Sequence, residues 1–171
     1  LEITATYSTG FDEARLAEIA ELKKKYSSLV IQLDRLRSSL IASPTTQRRN
    51  GKWSLREILG HLIDVDREIW GPRIETMLQE DHPHFESISQ DELVIKNRWN
   101  DFPIEEIIAQ LMRVRWNLAV FINNLPDVSL ARTCHHYSAG DITIADILQI
   151  LVDHDSHHIQ QIKDILQRES S

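Results

Sequence analysis

Residues 143–165, TIADILQILVDHDSHHIQQIKDI, read as one long amphipathic helix. Thr143 and Asp146 start it, with Ile142 and Ile147 placed to clamp the entering chain. At about 100° per residue, Ile147, Leu151, His154, His158 and Ile165 fall within about 60° of one another. The stripe such a helix buries therefore carries two imidazoles at its centre. A buried polar group without a partner costs on the order of 1–3 kcal/mol. Either His154 and His158 are core histidines satisfied by carboxylates, or they form an i,i+4 pair offering two ligands to one metal ion. His157 sits on the stripe's edge, facing solvent or supporting the ligands from behind.

Working outward from this helix, three more of similar length emerge. Ile19, Leu22, Tyr26, Leu29, Leu33, Leu36 and Leu40 alternate steps of three and four, the seam of a helix packed nearly parallel to its neighbours. Ser43-Pro44 ends it. Ser54 and Glu57 make a Ser-x-x-Glu capping box, after which Leu55, Ile58, Leu62, Val65 and Ile69 form one apolar face. Gly71-Pro72 must kink or interrupt that helix, because Pro72 removes a backbone donor and crowds the preceding turn. Residues 81–102 form a long connection with a short helix from Gln90 to Trp99. Another long helix begins near Pro103 and buries Ile104, Ile107, Ile108, Leu111, Leu118, Ile122 and Leu125. Residues 128–140 are irregular or a short extended pair, and residues 1–10 an irregular lead-in. The expected fold is all-α, a single domain over 1–171. Its long crossover between helices two and three suits climbing back along a bundle about 30 Å tall.

The totals agree. The chain of 171 residues is 42% hydrophobic and 26% charged, with only 5 glycines and 5 prolines, too few for a turn-rich sandwich or barrel. Its 26 acidic against 19 basic residues give a net charge of −7, which disfavours nucleic acid and anionic membrane as partners. The short Lys23–Lys25 and Arg48-Arg49 patches read as a solvated helix face and a solvated loop. No apolar run approaches the roughly 20 residues of a membrane span, and the N-terminal residues lack a signal pattern. Cys134 is the only cysteine, as expected of a protein from the reducing cytoplasm.

A third metal ligand must come from another helix, and His61 is the only other histidine on a long one. Three imidazoles leave an open position for water or substrate, the catalytic pattern rather than the closed structural one. Glu57, one turn before His61, is better explained by its cap than by catalysis. Arg115 falls in the core stripe of the third helix, where a guanidinium needs an anion. Asp64, Glu68 and Asp155 are its structural candidates, and a substrate anion is the sharper alternative. His82, His84, His135 and His136 are expected in exposed loops. His135 and His136 are the exceptions if the cavity has a rim or a second metal.

The combination of Trp53-Ser54-Leu55-Arg56-Glu57-Ile58-Leu59-Gly60-His61-Leu62 with His154-Asp155-Ser156-His157-His158-Ile159-Gln160-Gln161-Ile162 resembles the DinB/YfiT-like superfamily. Trp70-Gly71-Pro72-Arg73-Ile74 and Gly140-Asp141-Ile142-Thr143 extend the likeness, which runs from about Glu21 to Arg168. The resemblance implies an up-down-down-up four-helix bundle with one divalent ion, zinc or nickel, on His61, His154 and His158. It also implies a homodimer through helix faces, and places Arg115 where many such sequences keep an arginine. Relatives include thiol transferases using bacillithiol or mycothiol, so the leading expectation is a metal-dependent transferase acting with a low-molecular-weight thiol. In that reading Arg115 holds a substrate carboxylate and His157 supports the site. The alternatives are a metal-dependent hydrolase and a metal-binding module without turnover.

Overall fold

Asp12 accepts a hydrogen bond from the backbone N–H of Arg15 and starts α1, Glu13–Arg35. The chain breaks for one residue at Leu36 before the short α2, Arg37–Ala42. The computed structural model describes residues 11–44, 46–48 and 51–169, so the lead-in expected over residues 1–10 lies outside the described residues. Ser54 and Glu57 form the expected reciprocal capping box ahead of α3, Leu55–Asp64. That helix passes without a stop through a π-helical turn, Val65–Trp70, into α4, Gly71–Gln79.

The π turn is how the chain accommodates Gly71-Pro72. The Gly71 N–H bonds the carbonyl of Asp66, five residues back, so the strand of backbone before the proline widens instead of breaking. A Cβ at position 71 would lie 2.9 Å from that same carbonyl. The wider turn inserts a residue into the helical phase, which re-aims every side chain after Asp64. This matters for the site below.

The connection that follows carries α5, Gln90–Asn97, and a 3₁₀ turn at Trp99–Asp101. It is pinned to the second helix at two points. Asp64 accepts from Asn97 Nδ2 and Trp99 Nε1, both at 2.8 Å, and Arg56 donates to the carbonyls of Asn100 and Phe102. Next come α6, Ile104–Asn124, and finally α7, Ile144–Glu169, entered through mutual Thr143–Asp146 hydrogen bonds.

Directions follow from which ends meet. Arg15 pairs with Asp146 near the starts of α1 and α7, and Gln32 accepts from Lys163 near their ends, so these two run parallel. Lys23 of α1 reaches the carbonyl of Leu125, just past the end of α6, making those two antiparallel. The capped start of α3 lies against Asn100 beside the start of α6, so helices two and three run together. The result is the up-down-down-up four-helix bundle with its long crossover. One continuous apolar core, from Ile19 to Leu166, runs through all four helices. Among the described residues no helix is long and apolar enough to cross a membrane.

A small sheet closes one side. β2, Thr133–His136, and β3, Gly140–Thr143, form the extended pair anticipated before α7, antiparallel with His135 opposite Asp141. A two-residue β1, His84–Phe85, adds in parallel to β2. Nothing in its sequence announces β1, because a strand of two residues has no period to read.

Gly60 sits on α3 directly under Trp99. A Cβ there would lie 2.0 Å from Cγ of the indole, whose Nε1–H is tied to Asp64 and so resists moving. Gly60→Ala should therefore lower Tm. Overpacking costs about 1–3 kcal/mol, against a gain of at most about 1 kcal/mol in helix propensity. Thermal unfolding by circular dichroism checks this, and an unchanged or raised Tm would show that Trp99 yields.

Candidate metal centre

Because helix two and α7 run antiparallel, His61 in the middle of one meets His154 and His158 in the middle of the other. His61 is 1% exposed, and its ring packs at 4.7 Å between centroids against Trp53. Its Nε2 lies 3.0 Å from Nε2 of His154. The ring of His158 is 4.8 Å from that of His61 and 4.6 Å from that of His154. One ligating nitrogen from each of the three lies within 4.8 Å of the other two.

The tautomers are set from outside. His154 Nδ1 contacts Asp155 Oδ1 at 3.2 Å, and His158 Nδ1 contacts Gln161 Oε1 at 2.9 Å. Both oxygens only accept, so both Nδ1 atoms carry the proton and both Nε2 atoms present a lone pair. Burial drives His61 down to about 2, helped by the neighbouring imidazoles and Arg115. Burial likewise takes His158 down to about 4, with His154 adding to it and the Gln161 bond opposing. Neutral imidazoles are what a divalent ion requires.

This set fits a metal ion. Tetrahedral coordination at about 2.0–2.1 Å puts ligand nitrogens about 3.3 Å apart, close to the 3.0 Å between His61 and His154. Without an ion, the Nε2 atoms of His61 and His154 share at most one proton across 3.0 Å, whereas an ion would answer both lone pairs. Among the described residues no fourth His, Cys, Asp or Glu joins the group.

Arg115 is placed differently from the sharper sequence expectation. It is 0% exposed. Its Nη1 donates to Asp155 and, at 3.2 Å, to Tyr26 Oη; its Nη2 donates to the Leu62 carbonyl at 3.3 Å; and its Nε lies 3.1 Å from Asp66 Oδ2. Fully buried among these protein groups, it has no exposed face for a substrate. The Asp66 contact is a charge pairing without a well-aligned hydrogen bond, since neither Asp66 oxygen has a hydrogen-bond partner. Burial pushes the Asp66 carboxyl up, and Arg115 acts against that. Of the expected acids only Asp155 is a partner. Asp64 is spent on Trp99 and Asn97, Glu68 pairs with Arg67, and Asp66 takes their place because the π turn rotates it inward. A uniform 100° step hides this.

Glu57 keeps its capping role and also pairs with Arg48, a loop residue whose reach no helical spacing reveals. Burial tends to raise its carboxyl, but bonds from Arg48 and Ser54 hold it below the ordinary range. Arg49, the other half of that basic patch, lies outside the described residues. His157 is exposed and meets His158 edge-to-face at 5.3 Å. It lines a cleft of about 420 Å³ with Trp53, Gln161, Lys52 and Arg168.

His82 and His84 are exposed and His135 is half-buried, but His84 lies on β1 and His135 on β2 rather than in loops, and His135 bonds Asp141 at 2.8 Å. His136 is buried on β2, on the same face as Cys134. It lines a second cleft, of about 230 Å³, together with His154, Trp70 and Arg73. Sequence reasoning passed over Arg73. The signal was available, since it falls four residues after Ile69 and four before Met77, both buried.

Comparison with known proteins bears on this geometry. The sequence profile of the DinB superfamily matches residues 41–162. Two proteins of Oceanobacillus iheyensis, each named "Putative metal-dependent hydrolase", are similar. One is 25% identical over 122 residues, covering 71% of this chain and 69% of that protein. The other is 23% identical over 151 residues, covering 88% and 83%. The solved structure of YfiT from Bacillus subtilis is described as a probable metal-dependent hydrolase with an unusual four-helix bundle topology. It shares the fold with a TM-score of 0.67 at 20% identity, over 98% of this chain and 93% of that one.

Two outcomes follow from the site's surroundings. Arg115→Met strands two buried carboxylates, so it should destabilise the fold by about 3–5 kcal/mol, measured by urea unfolding; a loss under about 1 kcal/mol would deny the network its role. Glu57→Gln keeps an acceptor for the cap while weakening the half-exposed Arg48 pair, so it should cost about 1 kcal/mol or less. Metal content should survive that change, as read by elemental analysis.

Proposed function

This chain belongs to the DinB superfamily, and from that premise we propose that it is a metal-dependent hydrolase whose ion is held by His61, His154 and His158. The observation that carries the reading is the convergence of three imidazole nitrogens within 4.8 Å, two of them aimed by outer partners, with no fourth protein ligand among the described residues. The names of its relatives support the same class. A divalent ion held there, zinc or nickel in our reading, would supply Lewis acidity, making water a usable nucleophile near neutral pH and polarising a carbonyl.

The chain's own residues have distinct tasks. Asp155 fixes the His154 ring by accepting from its Nδ1, and Arg115 fixes Asp155 in turn. Gln161 does the same for His158. Trp53 covers the His61 ring and limits solvent access from that side. His157, exposed at the rim of the larger cleft, would be the proton donor to a leaving group in this reading. Arg115 is a positioning residue in this account and touches no reacting atom.

A second reading, transfer to a low-molecular-weight thiol, is favoured by one feature. Two clefts flank the triad along α7, one towards Ile165 and one towards Ile150, which gives separate room for two reactants. Lys52 and Arg168 in the larger cleft suit an anionic thiol.

The test is metal analysis followed by a panel of activated esters and amides, each assayed with and without thiols. Untagged protein should hold close to one equivalent of divalent ion, and His154→Ala or His158→Ala should remove it. Turnover without any thiol supports hydrolysis, and strict dependence on thiol moves the protein to the second reading. Full metal occupancy in the His154→Ala, His158→Ala double variant would overturn both.

A further inference from the structure

Two arginines are buried among the described residues, and they are treated in opposite ways. Arg115 faces two carboxylates. Arg73, 6% exposed, has no carboxylate within ion-pair distance among the described residues. Its Nη2 donates to the Glu86 carbonyl at 2.7 Å, and its Nη1 lies 3.1 Å from His136 Nε2. A guanidinium can only donate, so His136 Nε2 accepts from it, while Nδ1 faces Ser138, 3.3 Å from Oγ and 3.5 Å from the backbone N. The imidazole is therefore neutral. Burial, then Arg73 and His135, keep it so by lowering its pKa. It holds the guanidinium without cancelling its charge.

The remaining neighbours are aromatic. The Arg73 guanidinium carbon lies 5.3 Å from the Phe85 ring centroid, 5.9 Å from Trp70 and 6.0 Å from Tyr137. Ring faces offset part of the cost of burying a cation but bring no negative charge to cancel it. Two of a guanidinium's five donors are used, and a second donor goes begging nearby: the Trp70 Nε1–H is buried with no partner. Arg73, Trp70, His136 and His154 all line the cleft of about 230 Å³. His154 is one of the three centre histidines, so a group held by Arg73 lies beside the reacting position.

We propose that Arg73, oriented by His136, is the carboxylate-binding residue of this enzyme and holds the anionic end of the substrate against the metal centre. The inference rests on the reading of His61, His154 and His158 as that centre, and it names the substrate class: small molecules bearing a carboxylate near the reacting bond. A carboxylate suits the site better than a phosphate dianion because no lysine or second arginine lines the cleft. It also matches the planar fork of a guanidinium.

The experiment is an NMR titration of the full chain with acetate, and separately with inorganic phosphate, at fixed ionic strength. It follows the side-chain N–H signals of Arg73 and Trp70 in zinc-loaded and zinc-stripped protein. Saturable shifts of both signals with acetate, tighter than with phosphate and present in both preparations, are expected. Arg73→Met should abolish the acetate response with zinc content unchanged. If that variant does not fold, Arg73→Lys keeps the charge and loses the fork, and should weaken acetate about tenfold or more. No saturable shift in the folded parent, parental affinity in either variant, or tighter binding of phosphate would each overturn the proposal. An acetate response that persists in a protein unable to take up zinc would sustain the subsite and refute the metal reading, so the two failures are distinct.

Discussion

The guanidinium of Arg115 is the one point at which all four long helices meet. Tyr26 reaches it from α1, Leu62 and Asp66 from the second helix, and Asp155 from α7, while the arginine itself belongs to α6. A charge with no exposed surface is costly to bury, and opposite charges and acceptors held in fixed geometry offset that cost. The bundle therefore cannot slide or rotate one helix without stranding a charge. Apolar stripes alone tolerate such shifts, because leucine packs nearly as well one notch away. The arginine supplies the register that the stripes leave loose.

That constraint reaches the metal centre through a single residue. Asp155 uses one carboxylate oxygen on Arg115 and the other on Nδ1 of His154. The orientation of a metal-facing ring is thus fixed by the same interaction that fixes the helices. The π turn at Val65–Trp70 belongs to this arrangement as well. It lets helix two keep His61 opposite His154 and still present Asp66, rather than Asp64, to Arg115. Asp64 is left to anchor the crossover through Trp99 and Asn97, and Gly60 allows Trp99 close enough to reach it.

What could be read in the sequence divides along the same line. The helices, their caps and the shared face of His154 and His158 follow from a period of 3.6 and from side chains acting within a few residues of their own position. His61 as their neighbour followed from elimination among helical histidines, aided by the family likeness. The identity of Arg115's partners was not legible, because a π turn changes the phase on which any such count depends. The burial of Arg73 was legible from its place between Ile69 and Met77, but its significance lies in what is missing around it. The burial of His136 needed β2 to be recognised as a strand, where alternation sets it beside Cys134, and it needed β1, two residues long, to complete the sheet.

The contrast between the two buried arginines gives the molecule its division of labour. A buried cation faced by carboxylates, as Arg115 is by Asp66 and Asp155, stabilises one arrangement and leaves nothing for a ligand. An uncompensated charge does the reverse: it weakens the free protein slightly and is relieved only when an anion arrives. Arg73 carries its charge among a neutral imidazole, a carbonyl and three rings. In a chain with 26 acidic side chains and a net charge of −7, a carboxylate partner for Arg73 would have been easy to supply. A substrate anion must instead overcome the general repulsion of an acidic surface, and a buried, undamped positive charge beside the metal centre is the local feature able to do that. Affinity then comes from one short-range contact with a required geometry, and selectivity for a carboxylate adjacent to the reacting bond follows from the placement of that contact on the wall shared with His154.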